Sequence, residues 1–334
     1  MITKRICSSL VDEVLIDLIE FQAIVAGRTG FNMVEVQRDL DIEFSEIDEV
    51  GTIGNDDAEI AFNHVNELLQ IRIGRVGEVN YPFQLSNDGS RFTLRSDLTN
   101  SGYIYLFCLL LSHPKEDDVL SGDYLPNIND NERRLFQSCS TVAAAGLIKG
   151  NAISFGFPRT DGSGFLDKLK QVYSLIEDGQ VRNVLIPGTS RNIKDFGIDV
   201  IAWLHRQDSR ALERYFLAQV ASGADWNNKE LSNDMINRFH DLFFSDSPKK
   251  ESERGIFIPF TPEYDRDISL DDKLRIFQGQ YGEFHYRFSI PRYYADGYEL
   301  SQQDNFFHID GISDFNVIKS WVCTELKRIS GIEL

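Results

Sequence analysis

Asp199 and Gln219 stand twenty residues apart in the stretch 194–229, KDFGIDVIAWLHRQDSRALERYFLAQVASGADWNNK. The aspartate opens an apolar run just after Gly197-Ile198, and the glutamine lies near the end of the next apolar run. If the two runs form adjacent antiparallel strands, both side chains reach one edge of a sheet. A carboxylate, a second oxygen ligand and the nearby cations Lys194 and Lys229 then suit a hard divalent ion. Magnesium takes a few protein oxygens and fills its shell with water and substrate phosphate. The same residues also have a plain structural reading, a glycine turn before a buried strand with the aspartate capping the local backbone.

Other constellations fall short of a site. Gly51-Thr52-Ile53-Gly54 and Gly74-Arg75-Val76-Gly77 lack the ending of a phosphate loop and the third glycine of a dinucleotide fingerprint, so both read as turns. The six histidines, His64, His113, His205, His240, His285 and His308, are isolated in sequence, with no HExxH pair. Asp161-Gly162-Ser163-Gly164 is not a GxSxG elbow and reads as a helix N-cap. Cys7, Cys108, Cys139 and Cys323 form no CxxC pair, which indicates neither zinc nor a disulfide framework and points to a cytoplasmic location.

The pair of apolar runs has a known counterpart. Gly197-Ile198-Asp199-Val200-Ile201 followed by Phe216-Leu217-Ala218-Gln219-Val220-Ala221 resembles the core of the PD-(D/E)XK restriction-endonuclease-like superfamily, in the Mrr-like form where a GxDV strand precedes a QxK strand. The resemblance covers roughly residues 130–245 and is strongest at the aspartate-to-glutamine core. It implies a magnesium- or manganese-dependent endodeoxyribonuclease in which Asp199 binds the metal and Gln219 completes the site. In such proteins a lysine positions the attacking water or steadies the charged transition state. Here that position is Ala221, which leaves three readings open: Lys229 or Lys194 supplies the cation, a substitution has inactivated the enzyme, or the chain is a nuclease-fold scaffold that binds a protein.

The resemblance implies further roles. Leu135-Phe136-Gln137 stands where a Phe-Glu pair on a helix is expected, with Glu177 at the end of the next helix, and Asp195 is an alternative second carboxylate. Trp226-Asn227-Asn228-Lys229 looks like a continuation seen in bacterial defence-associated members. That implies an anti-phage effector acting on DNA beside an ATPase or helicase, with self-association open. Trp226 and the aromatics Phe284, Tyr286, Phe288, Tyr293 and Tyr294 could stack on bases or pack a core. Arg266, Arg275, Arg287 and Arg292 could meet phosphate or belong to a solvated surface.

Elements must carry these residues. The chain has 334 residues, 42% of them hydrophobic, which excludes wholesale disorder and suits two domains or one enlarged one. Its 34 Lys plus Arg against 52 Asp plus Glu give a net charge of −18, unlike a general nucleic-acid coat. The acidity is uneven: residues 1–70 hold 4 basic and 15 acidic side chains, whereas 182–230 hold 7 and 6. Apolar spacing predicts amphipathic helices near 10–27 and over 57–70, with a solvated acidic stretch at 39–49 and a short strand at 91–95. Residues 103–111 form the longest apolar run, too short for a membrane helix.

The polar segment 113–131, with two prolines and a glycine, marks a boundary near 128 between an acidic, mainly helical N-terminal domain (1–128) and the rest (129–334). Beyond it the pattern predicts helices over 132–148, 165–176 and 229–243. Strands are expected at 153–157, 198–203, 215–221, 256–260 and 284–290, and a last helix near 315–329. The fold class expected is α/β, a restriction-endonuclease-like mixed sheet flanked by helices.

Overall fold

Val200, Ile201, Ala202 and Trp203 are all fully buried, and a strand apolar on both faces belongs inside a sheet with layers above and below it. The computed structural model, which describes residues 11–47, 55–115, 120, 122–159, 161–189, 194–262, 268–303 and 307–331, places it there. The first part of the chain contains α1 (Asp12–Ala26), β1 (Phe31–Asn32), α2 (Met33–Ile47), α3 (Asn55–Val76), β2 (Phe83–Leu85), β3 (Arg91–Leu94) and α4 (Asn100–Ser112). Then come α5 (Asp130–Ile148), β4 (Asn151–Ser154), α6 (Phe165–Ile176), β5 (Gln180–Val181), β6 (Val200–His205) and β7 (Leu212–Val220). The rest comprises α7 (Asn233–Phe243), β8 (Phe244–Asp246), β9 (Glu253–Phe257), α8 (Leu270–Tyr281), β10 (Glu283–His285), α9 (Ile290–Gln302) and α10 (Phe315–Ser330).

The main sheet runs β10-β9-β7-β6-β4. Its β4, β6 and β7 are antiparallel neighbours, whereas β9 adds to β7, and β10 to β9, in parallel. Parallel neighbours need crossovers, and α7 and α8 supply them. Side chains alternate across the sheet as the strand period requires. Ile153, Ile201, Trp203, Tyr215 and Leu217 pack with residues of α6 and α7, while Ala152, Val200, Ala202, Phe216 and Ala218 join the core shared with α5 and α9. The molecule is a mixed α/β fold with helices on both faces of the sheet.

Two glycines let α5 and α9 cross closely. A Cβ on Gly146 would stand 2.0 Å from the Tyr293 carbonyl oxygen, and one on Gly297 would stand 2.0 Å from that of Val142. Only hydrogen fits at either crossing point.

Several elements match their sequence pattern and others shift. Helix α6 spans the residues its spacing predicts. Helix α5 starts two residues earlier than expected because Asn129 and Glu132 form a capping box, and α7 starts later, where the Ser232 hydroxyl accepts from the Met235 N–H. The acidic stretch 39–49 continues α2 as far as Ile47. The expected strand 284–290 ends at His285, and α9 begins at Ile290 with Pro291 in its first turn, where proline is tolerated. Gly74, Arg75 and Val76 close α3 rather than forming a free turn. Residues 51–54, Cys7 and Arg266 lie outside the described residues.

Helix α1 is buried along most of its length, including Glu13, Asp17 and Glu20. Their partners are the fully buried guanidiniums of Arg72 and Arg287. The Arg72 Nη1 donates to Asp17 at 2.5 Å and to Glu20 at 3.1 Å, and its Nη2 to Glu13. Arg287 donates to Asp17 and, at 2.9 Å, to the Thr261 hydroxyl. Asp17 also meets His113 at 2.7 Å, and both Tyr81 and Tyr105 donate to Glu20, at 2.6 and 2.7 Å. One apolar core runs through this region and past residue 128: Leu106 and Phe107 belong to the same cluster as Cys139, Tyr294 and Leu326.

Candidate active site

Asp199 sits one residue before β6, with its backbone held from both sides. Its N–H donates to the Ala218 carbonyl at 2.9 Å, and its own carbonyl accepts from Phe155 at 2.7 Å and Gly156 at 3.0 Å. The register pairs Val200 with Ala218, so one step outward Asp199 faces Gln219. Opposed residues of an antiparallel pair project to the same face. The register sets the two residues opposite one another at one end of the β6–β7 pair, inside the sheet rather than at its edge.

The carboxylate is oriented by the backbone. Asp199 Oδ2 accepts from the Val220 N–H at 2.8 Å, and Oδ1 faces Gly156, 2.6 Å from where a Cβ there would stand. The Gln137 amide reaches the same point from α5, its Nε2 at 2.6 Å and its Oε1 at 2.7 Å. Gly156 therefore keeps open the space in which Asp199 and Gln137 converge. Gln137 Nε2 donates to the Ser154 hydroxyl at 2.7 Å. Gln219 is 8% exposed and its Oε1 is buried without a hydrogen-bond partner.

Loss of hydration first, and then the nearby Asp195 charge, push the Asp199 carboxyl up to about 7. The Val220 N–H and the positive charge of Lys229 work in the opposite direction. Lys229 is half-buried just after the helical turn Trp226–Asn228, and no ion pair within 4 Å joins it to Asp199. Its charge is felt at the carboxylate without contact.

The other sequence candidates take different places. Asp195 uses both oxygens on backbone, accepting from Gly197 N–H at 2.9 Å and Phe157 N–H at 3.3 Å, so it shapes the turn that delivers Asp199. The Lys194 ammonium lies 5.4 Å from the centre of the exposed Phe157 ring, a cation–π distance. Trp226 is wedged among Phe277, Phe284 and Tyr281, with ring centres 5.5 to 5.9 Å away. Arg287 belongs to the buried ion network, and Arg275 pairs with Asp272 at the surface. Ala221 is fully buried, its N–H bonded to the Phe257 carbonyl at 2.9 Å. Asp161 does not cap α6 itself: it accepts from the Ser163 N–H at 2.9 Å, and Gly164 is the N-cap.

At Gly156 the oxygens near one another are Asp199 Oδ1 and Gln137 Oε1, while the Gln219 amide lies beside Gly197 and Met235. Among the described residues no group of three His, Cys, Asp or Glu side chains gathers to hold a metal. A single carboxylate with neutral oxygens fits an ion that keeps part of its water shell, such as magnesium or manganese, and not a thiolate- or imidazole-seeking one. The unpartnered Gln219 Oε1 is consistent with a ligand oxygen. Gln137 is the residue whose sequence context was weakest, and its placement depends on α5 crossing the end of β4.

Comparisons with protein-family models, with curated proteins and with solved structures return no match. Among the described residues no helix is long and apolar enough to cross a membrane.

Proposed function

We propose that the protein is a metal-dependent nuclease of the restriction-endonuclease-like kind, hydrolysing DNA phosphodiesters as the effector of a bacterial anti-phage system. What supports this is the pairing of Asp199 opposite Gln219 at the end of the antiparallel β6 and β7 pair, with Gln137 beside Asp199 at Gly156. In this reading Asp199 Oδ1 and Gln219 Oε1 hold the cation, Gln137 adds a third oxygen, and the Val220 N–H fixes the carboxylate's orientation. A bound magnesium or manganese ion supplies an activated water and counter-charge for the phosphate. Lys229 adds positive charge where a pentavalent phosphoryl group becomes more anionic. The chain's acidity supports delivery of DNA by a partner such as an ATPase or helicase, since a charge of −18 disfavours free binding.

A second reading has its own observation. Ala221 is fully buried and Lys229 stays out of contact with Asp199, which favours a nuclease-fold scaffold that binds protein. Titrating manganese into the wild-type chain and Asp199→Ala by calorimetry separates the two. A binding heat lost in the variant supports the nuclease; absence of heat from both at millimolar metal sinks it in favour of the scaffold.

A further inference from the structure

A cavity of about 590 Å³ opens beside the Asp199 site, between α5, α6 and residues 310–314, and Gln137 and Ser154 line it. Its size suits a nucleotide-scale ligand. The lining is strongly polar and carries Arg134, Arg159 and Lys168 together with Asp161, Asp310 and Asp314. Equal numbers of cations and carboxylates do not make a track for successive phosphates. Lys168 stands beside Asp161 and Asp310, and Arg134 beside Asp314, so the lining suits a ligand that carries both an anionic group and hydrogen-bond donors.

Lys168 is the buried member of this set, whereas the side chains of Arg134, Asp161 and Asp310 are 38–42% exposed. Lys168 is only 9% exposed, its ammonium 3.1 Å from Asp161 and 4.0 Å from Asp310. Asp310 Oδ2 accepts from the Ser154 N–H at 3.2 Å, and Asp314 Oδ2 accepts from the Ser138 hydroxyl at 2.6 Å and lies 3.8 Å from Arg134. Among the described residues, Oδ1 of each of these two aspartates carries no hydrogen bond. Arg159 lies over the rings of Phe155 and Phe165, and its Nε is buried without a partner. Donors for a phosphate and unused acceptors for a base amine thus share one cavity.

We infer that this cavity binds one nucleotide of a DNA single strand, the neighbour of the phosphodiester held at Asp199. The inference rests on the nuclease reading. Arg134 and Lys168 meet the phosphate, and the free oxygens of Asp310 and Asp314 accept from an exocyclic base amine, a donor that cytosine, adenine and guanine all carry. A base stacked in a duplex cannot enter a recess of this kind, so the occupant is unpaired or turned out of the helix. Gln137 links the two places, since its amide lies beside both Gly156 and the cavity wall.

The test measures binding of a fluorescein-labelled deoxycytidine hexanucleotide to the full chain in EDTA, where cleavage does not interfere. Arg134→Gln should weaken binding about tenfold, the loss of one charge-assisted hydrogen bond, and Lys168→Met should do likewise. Thermal melting checks that each variant folds. Unchanged affinity in both cavity variants, or no binding by wild type, overturns the inference while the manganese titration at Asp199 still decides the nuclease reading. Deoxycytidine monophosphate competing as tightly as the hexanucleotide would also overturn it, in favour of a free nucleotide as ligand.

Discussion

At the residue scale, the properties of Asp199 follow from its neighbours. Its pKa in the folded chain, about 7, is above the unfolded value, so the unfolded chain releases this proton first as pH rises. Stability is therefore lost between roughly pH 4 and pH 7 on this group's account and stays low above it. Asp199→Asn should melt higher than wild type at pH 8, by about 2 °C or more, with the gap closing toward pH 4 in a thermal scan. Manganese should raise the melting temperature of wild type only, and less below pH 7, because a proton competes for Oδ1. Gly156→Ala tests the same space sterically: the added methyl falls on Asp199 and Gln137, so manganese affinity should drop about tenfold or more while the far-ultraviolet spectrum is retained. The positions of Asp199, just before β6, and Gln219, near the end of β7, were legible in sequence because both strands have a clear apolar pattern. The contribution of Gly156 was not, since nothing local says that two distant side chains close over it.

At the element scale, the α5–α9 crossing positions Gln137. Alanine normally exceeds glycine in helix propensity by about 1 kcal/mol, so either substitution would stabilise an isolated helix. Here the new methyl meets backbone carbonyls, which cannot rotate away. Gly146→Ala or Gly297→Ala should cost about 1–3 kcal/mol in urea denaturation, and the double variant less than the sum, because one displacement of α9 relieves both clashes. A stabilised variant would show that the helices have room to separate. Helices such as α6 could be read to the residue from their spacing, since one face packs and the other does not. The 284–290 stretch misleads for the opposite reason: Phe284, Tyr286 and Phe288 are all buried in an aromatic cluster, so apolar alternation continues after the strand itself has ended.

At the scale of the whole molecule, the buried ion network ties α1 to segments far along the chain. Asp17, Arg72 and Arg287 are 55 and 270 residues apart in sequence, so the three carboxylates of α1 gave no sign of being buried. Each charge is tolerated because the others are present, and removing one leaves its partners buried and unmatched. Burial alone would raise Asp17, but Arg287 first, then Arg72 and His113, hold its carboxyl well below the usual range. A depressed folded pKa contributes stability that is present above the unfolded value, near 4, and lost as pH falls below it. Asp17→Asn should therefore destabilise the chain by about 3–5 kcal/mol at pH 7 and flatten the loss of stability between pH 4 and pH 2. Glu20 acts in the opposite direction, since burial raises its pKa. Arg287→Met should also destabilise, and since Arg287 lies between β10 and α9 while Asp17 lies on α1, the two changes should be strongly non-additive in a double-mutant cycle. Additive costs, or an acid limb unchanged in Asp17→Asn, would mean that the N-terminal helices are held by their apolar contacts alone.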